Sequence, residues 1–135
     1  MPPIVILDNE YITIKYLPDK KIIYHTVHQP FGGQPLRDAL IAGFDALQYY
    51  KVCKWLSDER KNGPMSADDV EWGNKNLNQR AMEVGWKYWA LVVPEQIVAA
   101  GAMRPAIDIL YELGLRMMVF SSVEEASGWL DKFKD

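Results

Sequence analysis

The sequence predicts an α/β protein with one mixed β-sheet, in which antiparallel N-terminal strands are followed by right-handed βα crossovers. Three short segments near the N-terminus are rich in β-branched and aromatic residues and are separated by turn signals. After them, short apolar runs alternate with longer segments of helical periodicity. The predicted order of elements is therefore β-β-β-α-β-α-β-α-β-α.

The three N-terminal segments, residues 4–7, 11–17 and 21–28, are predicted to form an antiparallel meander. The third segment carries both histidines, His25 and His28. Residues three positions apart on a strand face opposite sides of the sheet, so the two imidazoles cannot chelate one ion together. No cysteine or acidic cluster supplies further ligands, and we expect no metal site.

A glycine-containing loop leads into the first helix. Pro35 suits the first position of a helix, and an apolar stripe predicts the face that packs on the sheet: Leu36, Leu40, Phe44 and Leu47. Gly32 and Gly33 precede this helix, but the glycine spacing of neither a dinucleotide-binding loop nor a P-loop is present. We therefore interpret the paired glycines as a turn.

The stretch from Lys51 to Leu77 predicts a buried strand, a polar loop and a capped helix. The strand is the apolar run Val52, Cys53, Trp55 and Leu56, in which Cys53 is expected to be a buried, inert thiol. Ser66 can accept a hydrogen bond from the backbone N–H of Asp69, and the Asp69 carboxylate can reach back, in a capping box worth about 1 kcal/mol.

The helix after Ser66 is expected to pack on the sheet and to end at Gly85. Met65 and Val70 occupy the two positions of a hydrophobic staple. Four apolar residues of this helix recur at near-helical spacing: Val70, Leu77, Ala81 and Val84.

The C-terminal part predicts two further strands and two further helices. Residues 87–93 and 116–120 are apolar runs typical of strands that helices cover. Pro105 predicts a kink or a turn before a helix over residues 105–113. A second capping box, from Ser122 to Glu125, opens a final helix that bears Ala126, Trp129, Leu130 and Phe133.

Length and composition indicate one domain over residues 1–135. Hydrophobic residues make up 49% and charged residues 24%, as in ordinary globular proteins. The net charge of -3 and the scattered Lys and Arg residues argue against nucleic-acid binding. No apolar run is long enough to cross a bilayer, and the N-terminus has no basic region or cleavage site. We therefore expect a cytoplasmic protein.

Several segments from about residue 50 onwards resemble a known family. They are Lys54-Trp55-Leu56-Ser57-Asp58, Ser66-Ala67-Asp68-Asp69 with Trp72 after it, the strand between Gly85 and Pro94, and Phe120 to Ala126 leading to Trp129-Leu130. Together with the element order, they resemble the STAS-like fold of anti-sigma-factor antagonists and sulfate-transporter domains. The residues are similar above all to small bacterial STAS-like proteins without an assigned function.

In the antagonist branch, the resemblance implies a phosphorylated serine at the start of the helix after the central strand, and Ser66 is the matching position. The chain departs from that branch because a longer charged loop separates Asp58 from Ser66. Three acidic residues beside Ser66 would repel a phosphate: Asp68, Asp69 and Glu71. A structural cap is therefore favoured over a phosphoacceptor, although Arg60 and Lys61 could support a phosphate.

The best place for a ligand is the carboxyl edge of the central strand, where the loops after Asp58 and Val93 could meet. Asp58, Arg60 and Ser66 would line that crevice. In the alternative interpretation, Asp58 and Arg60 form a local ion pair that orders the loop. Trp72 lies roughly 200 degrees around the helix from Val70, so one of the two should lie at a rim.

These observations predict a non-enzymatic regulatory or protein-interaction module that uses no cofactor. Its partner would be another protein or a second copy, as a homodimer, bound through the face from Asp58 to Trp72. The alternative is a carrier for a small apolar molecule or lipid, with a cavity near Pro105 lined by Met103, Met117 and Met118. An enzyme that uses Asp58 or the histidines is disfavoured because no nucleophile elbow is present.

Overall fold

The structure, a computed structural model, describes residues 1–134 and contains one six-stranded sheet with helices on both faces. The strands are β1 Ile4–Asp8, β2 Ile12–Leu17, β3 Ile22–Val27, β4 Lys54–Asp58, β5 Tyr88–Val92 and β6 Arg116–Phe120. The helices are α1 Gly33–Tyr50, α2 Ala67–Gly73, α3 Gln79–Glu83, α4 Glu95–Ala100, α5 Arg104–Glu112 and α6 Val123–Leu130. A π-helical turn, Asn74–Asn78, joins α2 to α3.

The strands lie in the sheet in the same order as in the chain. β1, β2 and β3 pair antiparallel, and β3 to β6 pair parallel. The predicted α/β class and the mixed sheet with an antiparallel start are therefore confirmed. The three crossovers, from β3 to β4, from β4 to β5 and from β5 to β6, all move in the same direction across the sheet. Right-handed crossovers therefore place α1 to α5 on one face of the sheet.

Side chains of β4 alternate between the two faces of the sheet. Trp55 packs against α1 so closely that a Cβ on Gly43 would lie 2.4 Å from its ring. Leu56 points the other way, into a cluster with Ala126 and Leu130 of α6. We call these the α1 face and the α6 face. Within the described residues, only α6 covers the α6 face, over β4, β5 and β6.

Two predicted boundaries differ from the structure by two residues. The central strand begins at Lys54 because Lys51 adopts a left-handed conformation and the N–H of Val52 still bonds to the Leu47 carbonyl, which closes α1. The helix that was predicted from Pro35 begins at Gly33. By contrast, the turn before the helix that contains Pro105, the stop at Gly85 and both capping serines are confirmed.

The apolar stripe of the helix after Ser66 is buried in its middle and exposed at both ends. Leu77 and Ala81 are buried, whereas Val70 is 44% exposed and Val84 is 41% exposed. The π-helical turn inserts a wider turn between Val70 and Leu77 and changes the helical phase. Val84 lies beyond the last residue of α3. Val70 is thus the residue at the rim, and Trp72 packs partly buried against the core.

The two edges of the sheet differ in regularity. β1 has a bulge between Val5 and Leu7, whereas the pairing of β6 with β5 runs without interruption from Arg116 to Phe120.

No helix within residues 1–134 is both long and apolar enough to span a bilayer.

Candidate functional site

The predicted site residues lie around the carboxyl edge of the parallel strands. Four strands end at this edge, so the loops that follow β3, β4, β5 and β6 come together there. α1 and α2 begin from two of these loops. The candidate site consists of two polar clusters in this region, one on each side of β4.

Asp58 and Arg60 form the first cluster. The guanidinium of Arg60 donates from Nε to Oδ1 of Asp58 at 2.9 Å and from a terminal nitrogen to Oδ2 at 2.7 Å. Burial by itself raises the pKa of Asp58, but these bonds, the backbone N–H of Arg60 and its charge outweigh that effect, so the pKa lies below its usual range. The local ion pair that the sequence offered as the alternative interpretation is thus present.

Asp69 is the centre of the second cluster. It is only 3% exposed, and its carboxylate accepts a hydrogen bond from the backbone N–H of Gly33 at 3.0 Å and from Nε of Arg37 at 3.1 Å. The N–H of Gly33 is the main cause that lowers the pKa of Asp69. Burial opposes this shift, and Ser66 and Arg37 add to it. Since Gly33 is the first residue of α1, a side chain of α2 caps a different helix.

Ser66 and Trp72 complete the second cluster. The Ser66 hydroxyl accepts from the N–H of Asp69 at 3.1 Å, as the capping motif predicted. The guanidinium of Arg37 lies 5.6 Å from the ring centroid of Trp72, in a cation–π contact. Two apolar side chains beside this cluster are also exposed, Met65 at 41% and Val70 at 44%. They do not form a buried staple.

The structure does not bring all five predicted residues together. Because side chains alternate along β4, Asp58 lies on the α6 face. Arg60 interacts electrostatically with Glu124, in the first turn of α6. Ser66, Asp69 and Trp72 belong with α1 on the other side. The single crevice expected from Asp58, Arg60 and Ser66 is therefore replaced by two clusters that β4 separates.

A buried polar group near this edge was not expected from the sequence. His25 lies on the α1 face and is 5% exposed. Its Nδ1 accepts from the indole N–H of Trp55 at 3.0 Å, and its Nε2 lies 3.1 Å from Oε2 of Glu59. The apolar residues around His25 in the strand pattern could have indicated burial, but nothing local indicates Glu59, which follows β4.

His28 lies apart from His25, on the surface. Its Nε2 is 2.7 Å from the hydroxyl of Thr13, and that hydroxyl donates to Oδ1 of Asp8 at 2.8 Å. A hydroxyl has one proton, so His28 must be the donor in its contact with Thr13. His28 is therefore not placed as a base for Thr13.

Two surface grooves lie outside the two clusters. The larger, of about 650 Å³, runs between the β1–β2 turn and α1 and is lined by Leu7, Asn9, Glu10, Tyr11, Pro35, Asp38 and Ala42. The other, of about 380 Å³, lies at β6. Within the described chain, no group of three or more His, Cys, Asp or Glu side chains is placed to hold a metal ion.

Comparisons with known proteins identify no relative of this chain. A scan against protein-family models gives no match, and searches of curated proteins and of solved structures give none either.

Proposed function

We propose that the chain is a non-enzymatic, STAS-like protein-interaction module that acts in the cytoplasm. Its binding surface would be the start of α2, which consists of Met65, Val70 and the cluster around Asp69. The observation that carries this proposal is the pairing of two exposed apolar side chains with a polar cluster whose groups are already bonded within the chain. Exposed apolar groups on a rigid support are typical of protein-binding surfaces.

The chemistry of the polar groups supports binding over catalysis. Asp58 is held by Arg60, both nitrogens of His25 have partners, and His28 donates to Thr13. A general base needs a free lone pair within reach of its proton donor. The element order and the segments that resemble STAS-like proteins support the family assignment, which remains a proposal.

Ser66 acts in this proposal as a helix cap, not as a phosphoacceptor. Its hydroxyl already bonds to the N–H of Asp69, and the Asp69 carboxylate is next to it. The nearby arginines are occupied, since Arg60 binds Asp58 and Arg37 binds Asp69. A phosphate at Ser66 would therefore meet negative charge without a free arginine to balance it.

Photo-crosslinking tests the surface directly. Benzoylphenylalanine at position 70 is expected to crosslink a partner protein, or a second copy, in cells that produce the chain. The matched control is position 84, which is also a valine at the end of the same helical segment and equally exposed. Equal crosslinking from both positions, or none from position 70 in a folded variant, would contradict the proposal. Sedimentation then decides between a homodimer and a heterologous partner.

The carrier hypothesis remains a separate prediction. Met103 and Met117 pack in one apolar cluster with Val98 and Ile107, so the space between the sheet and α5 is filled there by side chains. Native mass spectrometry of gently purified protein tests this hypothesis, because a bound apolar molecule would appear as a constant added mass.

A further inference from the structure

The free edge of β6 is lined by apolar side chains from both faces of the sheet. Ile107 and Tyr111 of α5 lie on the α1 face, and Trp129 and Phe133 lie on the α6 face. All four line one groove, together with Met117 and Met118 of β6. Side chains from opposite faces can share a groove only around the edge of the sheet, so the groove runs along β6.

The backbone of β6 offers hydrogen-bonding groups to this groove. The N–H of Arg116 bonds to the Lys87 carbonyl, and the carbonyl of Phe120 accepts from Val93, so these residues face β5. Because successive residues of a strand point to opposite edges, the N–H and C=O groups of Met117 and Val119 point outward. No other strand of the described chain pairs there.

Only one of the two sheet edges is suited to a further strand. The bulge in β1 interrupts the row of backbone groups on that edge, and Pro2 and Pro3 precede it. Bulges and prolines are features that keep edge strands from pairing. β6 has neither, and its five residues pair with β5 in unbroken register.

The first residue of β6 is a cationic side chain, Arg116. The guanidinium of Arg116 lies 5.9 Å from the ring centroid of Tyr111 and 5.7 Å from that of Phe133. No carboxylate in residues 1–134 forms an ion pair with Arg116. The two rings hold the guanidinium in place, so it is ready to bind a carboxylate from outside the chain.

We propose that this groove binds an extended peptide segment, which adds to β6 as an antiparallel strand and places an acidic side chain on Arg116. Its backbone would bond to Met117 and Val119, and its apolar side chains would contact Ile107 on one face and Trp129 on the other. In antiparallel pairing, the acidic residue belongs near the C-terminal end of the segment, because Arg116 begins β6.

A second copy fits this edge less well than a single strand. α5 approaches no strand but β6. Two β6 strands paired about a two-fold axis would be about 4.8 Å apart, whereas packed helices need roughly 8–10 Å between their axes. The two α5 helices would therefore collide. The proposal concerns a surface other than the start of α2, so its failure leaves the crosslinking result at position 70 unaffected.

Selection from a phage-displayed library of random decapeptides tests the proposal. Enriched peptides are expected to carry consecutive apolar residues, because successive side chains of the added strand face apolar residues on the two faces of the sheet, and to carry Asp or Glu near the C-terminal end. For the most enriched peptide, made with an amidated C-terminus, Arg116→Met is expected to weaken binding about fivefold. Replacement of the acidic residue by its amide should weaken it equally, and the two changes together should add little more. Arg104→Met, which removes another exposed arginine, at the first residue of α5, should leave the affinity unchanged.

Hydrogen exchange locates the bound peptide. Binding is expected to slow exchange of the Met117 and Val119 amides, which are otherwise free at the edge. The proposal is overturned if folded protein selects no peptide, or if the selected peptides bind Arg116→Met as well as the wild type. It is also overturned if native mass spectrometry finds a small apolar molecule that the peptide displaces, or if sedimentation shows a dimer that the peptide dissociates.

Discussion

The indole N–H of Trp55 donates to Nδ1 of His25 across 3.0 Å, and this bond determines the tautomer of a buried histidine. An indole nitrogen can only donate, so Nδ1 must be an acceptor and Nε2 must carry the proton. Nε2 then donates to Oε2 of Glu59 at 3.1 Å. One imidazole thus connects β3 and β4 to the first residue of the loop after β4.

Replacement of His25 should be costly for this reason. His25→Ala leaves the Trp55 N–H and the Glu59 carboxylate without their partner and opens a small cavity, and we expect a loss of about 2–4 kcal/mol in the free energy of unfolding. Urea unfolding measures this loss. His28→Ala is the matched control, because that imidazole is exposed, and it should change stability by less than about 1 kcal/mol. Similar losses from both variants would contradict the assigned role of His25.

Two glycines in helices should respond to alanine in opposite directions. At Gly43, a Cβ would lie 2.4 Å from the ring of Trp55, so Gly43→Ala must displace α1 or the indole and should destabilise the fold by about 1–3 kcal/mol. At Gly128 in α6, no heavy atom outside its own stretch of helix lies within 4 Å of the new Cβ, so Gly128→Ala should stabilise the helix by about 0.5–1 kcal/mol. Thermal unfolding of the two variants checks both signs.

Ser66 can be tested as a cap separately from any phosphorylation. Ser66→Ala should lower the free energy of unfolding by about 1 kcal/mol, because the N–H of Asp69 loses its acceptor. Ser66→Asn keeps a good capping group and has no hydroxyl to phosphorylate, so it should retain both stability and crosslinking from position 70. If Ser66→Asn abolishes partner binding while it remains folded, the hydroxyl has a further role.

Acid should destabilise the protein through Asp58 and Asp69. Both carboxyl groups have a lower pKa in the folded chain than in the unfolded chain. Their contribution is therefore complete above the unfolded pKa and is lost as the pH falls through the folded pKa, that is, below about pH 4. The free energy of unfolding, measured from pH 7 to pH 3, should fall less in the Asp58→Asn, Asp69→Asn double variant than in the wild type.

Asp68→Asn is the control for this pH series, because Asp68 is exposed and next to Asp69 in the chain. It should leave the acid dependence of stability close to that of the wild type. An unchanged acid slope in the double variant would mean that other carboxylates determine the acid stability.

The fold was largely predictable because its signals are local. Alternating segments, the Ser66 and Ser122 caps and the stop at Gly85 each depend on a few neighbouring residues. The site was less predictable because its contacts join distant parts of the chain. Nothing near Asp69 in the sequence indicates Gly33, 36 positions away, as its hydrogen-bond donor.

Two features that the sequence did not reveal have particular physical causes. Val70 and not Trp72 lies at the rim, because the π-helical turn changes the helical phase between Val70 and Leu77, and periodicity alone does not show such a change. Lys54 is buried although it is charged, because its Nζ reaches the Phe133 carbonyl at 2.6 Å, a contact across 79 positions that no local pattern reveals.

The difference between the two sheet edges limits the kind of assembly that the molecule can form. Head-to-tail growth would need β6 of one molecule to pair with β1 of the next, and the bulge in β1 interrupts that pairing. A row of copies joined from β6 to β1 is therefore disfavoured at each β1 edge. A strand bound at β6, as proposed above, would thus leave the complex without a regular β1 edge through which it could grow into fibres.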